Sequence, residues 1–402
     1  MTTLLYIIAA IFCFFLVFPF ITVILSLFTK DKIGKKLQGR TLKQYDYANV
    51  ITAYRNAEIA KPLVQSLLMQ THDKHHIYLV ADNADVSNWD IEHKKLTILK
   101  PDPPLNLKIK SIIYANERRV RPHDYTVVWD ADNLAHPQFL EVVNQYANAG
   151  YKAIQGQRTA KNLNSLMAAA DSLGEFYKNY IERLVPPRLG SSTVISGSGM
   201  AVEQELYESY LYGEDITTGK KLWKKMMQED KILQNHILRA NERIVYAKDA
   251  ICYDEKVTSA NEVETQRSRW LFSYFQNLPN STGFILRGVF TLNWNKFFFG
   301  LVTASPPLFI LLGSAGLMFL LGFLINWHIS AVLAASIAVF IGNIFLCLYL
   351  SNVPQMVWKA VHALPTFVLK QFMALFKMVN PNKNFTHSEH KVAVSIDEIL
   401  KK

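Results

Sequence analysis

Cysteine is scarce in this chain, with three in 402 residues: Cys13, Cys252 and Cys347. They show none of the paired spacing that holds a metal, and two fall in apolar runs, so a disulfide framework is not expected. Charge is missing from two long stretches. Leu4 to Thr29 contains no Asp, Glu, Lys or Arg, and neither does Phe297 to Trp358. Internal repeats, low-complexity segments and nucleic-acid-binding motifs are also missing. Met1-Thr2-Thr3 offers no basic residue to head a cleaved secretory signal, and no small-x-small site follows the first apolar run.

The uncharged runs point to a membrane. Leu4 to Thr29 is long enough to cross ~30 Å of hydrocarbon as a helix. Pro19 inside it is tolerable where neighbours satisfy the freed carbonyl. The second block divides into Phe297 to Ile325 and Ile329 to Leu350, with Asn326-Trp327-His328 as the turn. Three spans are therefore expected. Lys30, Lys32, Lys35, Lys36, Arg40 and Lys43 follow the first span against one acid, Asp31. The positive-inside rule then puts residues 30–296 and the C-terminus in the cytoplasm, as expected of an integral protein of a bacterial inner membrane. Much of the formal charge of +10 is juxtamembrane. That fits anionic headgroups and a negatively charged substrate better than nucleic acid. Leu271 to Leu286 reads as an amphipathic segment along the membrane. Trp358 to Val379, with Lys359, Lys370, Lys377 and Pro365, reads as interfacial, a fourth span being the alternative.

Between the apolar ends, strand-like and helix-like runs alternate. Ala48–Thr52, Ile77–Ala81, Leu96–Leu99, Tyr125–Trp129 and Tyr151–Gln155 read as strands, and Leu107–Ala115 has helical spacing. Tyr125–Trp129 is continuously apolar, as a strand buried on both faces should be. Such alternation implies an α/β domain with a mostly parallel sheet, in which ligands bind beyond the carboxyl ends of the strands.

The candidate chemistry lies at those ends. Asp130 and Asp132 close the most apolar strand. Two carboxylates one residue apart can converge on Mg²⁺ or Mn²⁺, although an acidic surface turn has the same pattern. Asp82 follows the second strand, where it can accept from a base edge or cap a helix. Lys108 and Lys110 are either phosphate partners or solvated lysines. Glu214-Asp215 offers a general base, or acids suited to a helix N-terminus. Arg267, Arg269 and Trp270 combine guanidinium groups for a diphosphate with a ring for stacking a sugar, or they anchor the chain at the membrane surface. Gln266 beside them has no anchoring value.

Taken together, Asp130-Ala131-Asp132, Glu214-Asp215 and Gln266-Arg267-Ser268-Arg269-Trp270 resemble the membrane-integrated family 2 glycosyltransferases. That group holds cellulose, hyaluronan, chitin and poly-N-acetylglucosamine synthases and ceramide glucosyltransferase. The resemblance implies a GT-A fold in residues 30–265, an N-terminal membrane helix at 1–29, and interfacial helices at 266–296. A pair of spans would occupy 297–352, followed by an interfacial helix and tail at 353–402. It implies that Tyr54, with Glu58 in the same loop, flanks a uracil that Asp82 hydrogen-bonds. Lys110 would lie near the phosphates, Asp130 by the nucleotide, and Asp132 on the metal. Asp215 would be the base and Arg269 would contact the diphosphate. The turn Gly197-Ser198-Gly199, with Glu214, Gln266 and Trp270, would line the acceptor path. Phe385-Thr386-His387 resembles the family's C-terminal aromatic-x-Thr-basic pattern. The implied reaction is inverting transfer from a UDP-sugar, with Mg²⁺ or Mn²⁺, to a growing polysaccharide or a membrane lipid, with a partner subunit if a channel is needed. The reading outside enzymes is a degenerate nucleotide-sugar sensor.

Overall fold

The computed structural model describes residues 2–29, 33–217, 228–256, 260–363 and 394–401. The chain forms two compact units. One comprises Asp31–Asn162, Ser192–Lys256 and Phe385–Lys402, and the other Met1–Lys30, Leu163–Ser191 and Val257–Asn384.

The first unit is built on a single mixed sheet of eight strands: β1 (Tyr47–Asn56), β2 (His75–Asp85), β3 (Leu96–Leu99), β4 (Tyr125–Asp130), β5 (Leu134–Ala135), β6 (Ala153–Ala160), β7 (Met200–Glu203) and β8 (Ile244–Asp254). Their spatial order is β3-β2-β1-β4-β7-β6-β8-β5. The half from β3 to β4 is parallel, β7 runs antiparallel to both its neighbours, and β6 pairs β8 in parallel. All five strand-like runs of the sequence are strands, and Leu107–Ala115 falls on the helix Lys108–Glu117.

Burial on both faces explains the apolar runs. Ile51, Leu79, Val127 and Trp129 pack under the helices Lys61–Leu68 and Phe139–Asn148. The alternate register, Val50, Tyr78, Val80 and Val128, is equally buried, and the helix Lys108–Glu117 lies against β1 and β2. Trp129 is fully buried, packs against the tilted ring of Phe139 at 4.7 Å between ring centroids, and donates its indole N–H to Asn49 Oδ1 at 3.0 Å. A buried indole with its donor satisfied fixes the centre of the sheet without a polar penalty.

The second unit holds three helices long and apolar enough to cross a membrane: Thr3–Leu27, Leu308–Ile325 and Trp327–Leu350. The middle one is shorter than the uncharged run suggests. That run breaks at Ser305-Pro306-Pro307, so Trp294–Ala304 is a separate helix. Proline disfavours the helical conformation of the residue before it, and two in a row end the helix there. A single residue, Asn326, separates the last two spans, and its side chain caps the second by accepting from His328 N. A Cβ on Gly322 would lie 2.4 Å from Ser330 Oγ, so these two helices approach through a glycine, as membrane helices often do. The amphipathic stretch Leu271–Leu286 is part of one helix, Ala260–Phe290, with Pro279 inside it. The stretch from Trp358 is helical to Ala360. Residues 364–379, and Phe385-Thr386-His387, lie outside the described residues.

Candidate functional site

Parallel pairing brings the carboxyl ends of β1, β2 and β4 to one edge. Tyr54 is the register partner of Asp82, and Thr52 that of Asp130. Two residues beyond Asp130, Asp132 is buried in the turn that follows. Among the described residues, three of the six non-glycine residues with positive φ cluster at this edge, Arg55 (65°), Asn83 (52°) and Asn106 (55°), and Gly197 (84°) and Gly199 (59°) adopt the same region. Backbone held in sparsely populated conformations concentrates at functional sites.

Asp82 is engaged on both oxygens. Leu105 N donates to Oδ1 at 2.7 Å and Asn106 N to Oδ2 at 2.6 Å. Tyr54 OH donates to Asn106 Oδ1 at 2.9 Å, so Tyr54 and Asp82 hold the same loop. Glu58 is exposed and pairs with Lys61 at 2.6 Å, which also reaches Asp90 at 2.9 Å.

At the centre stands Lys108. Its Nζ donates to Asp130 Oδ1 at 2.6 Å and to the Gly197 carbonyl at 2.9 Å, and lies 3.7 Å from Glu229 Oε1. Burial pushes the lysine's pKa down, but the carboxylates of Asp130 and Glu229 outweigh it, and the ammonium is held firmly charged. Lys110 is half-buried on the same helix. Two residues apart on a helix is a rotation of about 200°, so the two lysines leave from opposite sides, and Lys108 is the one that faces Asp130.

The neighbouring acids were not singled out in the sequence. Glu229 and Asp230 open the helix Glu229–Arg239, and a Cβ on Gly197 would lie 4.0 Å from Asp230 Oδ2. The available signal was a second Glu-Asp pair, downstream of Glu214-Asp215 and directly before a helical run. Glu214 is exposed at the start of the short helix Glu214–Thr217. The side chain of Asp215, and residues 218–227, lie outside the described residues.

The third part of the edge is a buried charge network. Asn133 accepts from Asp130 N at 3.1 Å and donates to Asp254 Oδ1 at 3.2 Å. Asp254 receives Lys256 Nζ at 2.9 Å and Arg158 Nη2. Burial alone would raise the Asp254 pKa, but these two cations carry it down to about 2. Lys161 Nζ donates to the carbonyl of Asp132 at 2.8 Å and pairs with Glu255 at 3.1 Å. Arg158 Nη1 reaches the carbonyl of Ser196, and Gln155 Nε2 those of Ser198 and Gly199, so the Gly197-Ser198-Gly199 turn is held by side chains from β6. Buried ions satisfied on several sides in this way fix geometry more than they add stability. None of Asn133, Arg158, Lys161, Asp254 and Lys256 was legible as functional in isolation.

Among the described residues no three His, Cys, Asp or Glu side chains gather in a metal-ligating group. Asp132 supplies hard oxygen donors, and a Mg²⁺ or Mn²⁺ ion there would draw the rest of its shell from substrate phosphates and water, the usual arrangement for such ions.

In the other unit, Arg267 ion-pairs with Asp171, and its guanidinium lies 4.3 Å from the centroid of the Trp270 ring. Trp270 is 40% exposed. Arg269 is half-buried on the same helix, and the side chain of Gln266 lies outside the described residues.

A family model described as "Glycosyltransferase like family 2" matches residues 45–273, more than half of the chain. The chain belongs to this family. No curated protein matches it. Among solved structures, this family 2 chain is similar to the mannosyltransferase PcManGT from Pyrobaculum calidifontis in complex with GDP-Man and Mn²⁺. The identity is 13% and the TM-score 0.54, over 92% of this chain and 98% of that one. At that identity the likeness establishes a shared GT-A-like fold. Two structures of TarS from S. aureus match at TM-scores of 0.39 and 0.40 with 12% and 14% identity. They cover 77% and 74% of this chain and 92% and 54% of theirs, and carry no argument.

Proposed function

We propose that the protein is an inverting, metal-dependent glycosyltransferase that moves a sugar from a nucleoside diphosphate sugar, expected to be a UDP-sugar, to a membrane-associated acceptor. The acceptor is a growing polysaccharide or a membrane lipid. The observation that carries this reading is the convergence of Asp130, Lys108, Gly197 and the Glu229-Asp230 pair at the edge where Tyr54, Asp82 and Asp132 also lie. A bound Mg²⁺ or Mn²⁺ would be held by Asp132 and would offset charge on the donor diphosphate; the Mn²⁺ in the Pyrobaculum complex supports this. Lys108 would offset the charge of the leaving nucleotide. Tyr54 and Asp82 shape the base pocket through the Leu105-Asn106 loop.

A carboxylate takes the proton from the acceptor hydroxyl, which attacks the anomeric carbon as the bond to the diphosphate oxygen breaks. The geometry favours Asp230 as that base, because it stands beside the small turn Gly197-Ser198-Gly199, where an acceptor can approach closely. Asp215 is the assignment implied by the sequence resemblance. By the positive-inside rule the catalytic unit faces the cytoplasm.

The test is nucleotide release by detergent-solubilised protein. The donors are UDP-glucose, UDP-N-acetylglucosamine, UDP-galactose, UDP-glucuronate and GDP-mannose, each with Mg²⁺ or Mn²⁺. Asp230→Asn should lower transfer by about 10²–10⁴-fold, the usual contribution of a general base, with donor binding nearly unchanged. A wild-type rate in Asp230→Asn with loss in Asp215→Asn would return the role to Asp215. No release from any donor would overturn the glycosyltransferase reading. Product size by mass spectrometry separates polymer from single-sugar transfer.

A further inference from the structure

Lys178 ends the helix Leu166–Lys178, where the chain passes into a π-helical turn, Asn179–Leu184. Such widened turns are frequent at functional sites. The Lys178 ammonium lies 5.1 Å from the centroid of the Trp270 ring, and the Arg267 guanidinium lies 4.3 Å from the same centroid. Two cations thus share one exposed indole. Arg267 has its counter-ion, Asp171, and nearby Arg183 has Glu175 at 2.6 Å. For Lys178, no carboxylate among the described residues lies within 4.0 Å. Burial and the charges of Arg267 and Arg183 act against its charged form, and the fields of Glu182 and Glu175, neither of them within ion-pair distance, only partly offset them. A half-buried ammonium beside another cation is costly unless an anion completes it.

We propose that Lys178, with Trp270, forms an anion subsite for the acceptor, and that the acceptor presented there is a lipid phosphate. This deepens the glycosyltransferase reading and rests on it, since Trp270 is placed on the acceptor path only by the family resemblance behind that reading. The chemistry is specific. The ammonium binds the phosphate as a charge-assisted donor, the exposed indole face covers the first sugar or the lipid stem, and the surrounding unit carries the three apolar helices that would receive an acyl or isoprenoid chain. The phosphate can belong to a diacyl phospholipid or to an isoprenoid phosphate.

The test uses full-length protein in phosphatidylcholine nanodiscs. Retention of farnesyl phosphate, phosphatidylglycerol and inorganic phosphate is read by native mass spectrometry, separately from nucleotide release. Wild-type and Lys178→Arg protein should retain one or both phosphate lipids, and Lys178→Gln should retain them about tenfold less, the loss expected for one charge-assisted contact. Preference for farnesyl phosphate or for phosphatidylglycerol identifies the source. Equal retention by Lys178→Gln and wild type would overturn the subsite, as would a wild type that releases nucleotide but retains neither lipid. Inorganic phosphate displacing the lipids at equal concentration would overturn the lipid assignment. Lipid retention without nucleotide release from any donor would leave the subsite standing and remove the glycosyltransferase reading.

Discussion

Replacing Lys108 by Met tests the centre of the proposed site. The substitution keeps most of the side-chain volume and removes one charge. In the native protein that charge meets Asp130 at 2.6 Å, the Gly197 carbonyl at 2.9 Å and Glu229 at 3.7 Å. Hydrogen bonds to charged groups contribute about 1.5–3 kcal/mol net. The Asp130 side chain is 37% exposed, so water screens the pair and the lower end, about 1.5 kcal/mol, applies to stability. For a unit of this size that is a fall in Tm of about 3–6 °C. Burial and Asp230 already raise the Glu229 pKa while Lys108 lowers it, so the variant's Glu229 should bind a proton at higher pH. Loss of the same cation from the donor diphosphate should lower kcat/KM by about 10–100-fold, the kinetic equivalent of about 1.5–3 kcal/mol. The assay is thermal unfolding in detergent together with nucleotide release across donor concentrations. Lys110→Met is the control, and should change kcat/KM by less than about threefold, because the two side chains leave the helix on opposite sides. A Lys108→Met protein with wild-type Tm and kcat/KM, or a large loss in Lys110→Met alone, would refute the assignment.

Other expectations follow from the same geometry. Gly156→Ala would set a Cβ 2.7 Å from the carbonyl oxygen of Ala250 and 2.9 Å from that of Gly199, so β6 must shift. A loss of about 1–3 kcal/mol is expected by chemical denaturation, with reduced turnover because the Gly199 turn moves with it. Asp132→Asn should raise the Mn²⁺ or Mg²⁺ concentration needed for half-maximal turnover by about tenfold or more, and excess EDTA should stop the wild-type enzyme reversibly. Burial, aided by the Lys95 charge for His75 and by Arg121 for His76, lowers both histidine pKa values from 6.5 to about 4. Between those values the unfolded chain binds protons that the folded one does not, so stability should fall as pH drops from about 6.5 towards 4. Thermal melts from pH 7.5 to 4.5 should show this slope, and His75→Gln with His76→Gln should flatten it. Asp46 acts lower on the scale. Burial raises its pKa, but His123 and Arg121 outweigh that and bring it to about 2, so its contribution is lost only as pH falls from about 4 towards 2.

The periodicity of the chain was enough to reveal an alternating α/β unit, the strands of the parallel half, and helices able to cross a membrane. Period-2 and period-3.6 burial and runs of uncharged residues are local properties, written directly into consecutive side chains. Asp130-Ala131-Asp132 was legible for the same reason, as an acidic stop to the most apolar strand. Three things were decided only by the fold. Which lysine meets Asp130 depends on the rotation of one helix about its axis, and the sequence treats Lys108 and Lys110 alike. The approach of Asp230 to the Gly197 turn depends on long-range packing around the sheet order β4-β7-β6-β8, which brings residues far apart in the chain to one edge. The Asn133, Arg158, Lys161, Asp254 and Lys256 network has no spacing signature, because its members come from three strand ends far apart in the chain, those of β4, β6 and β8. Chemistry that needs several charges within a few ångströms is set by long-range pairing, and long-range pairing leaves no local mark on the sequence.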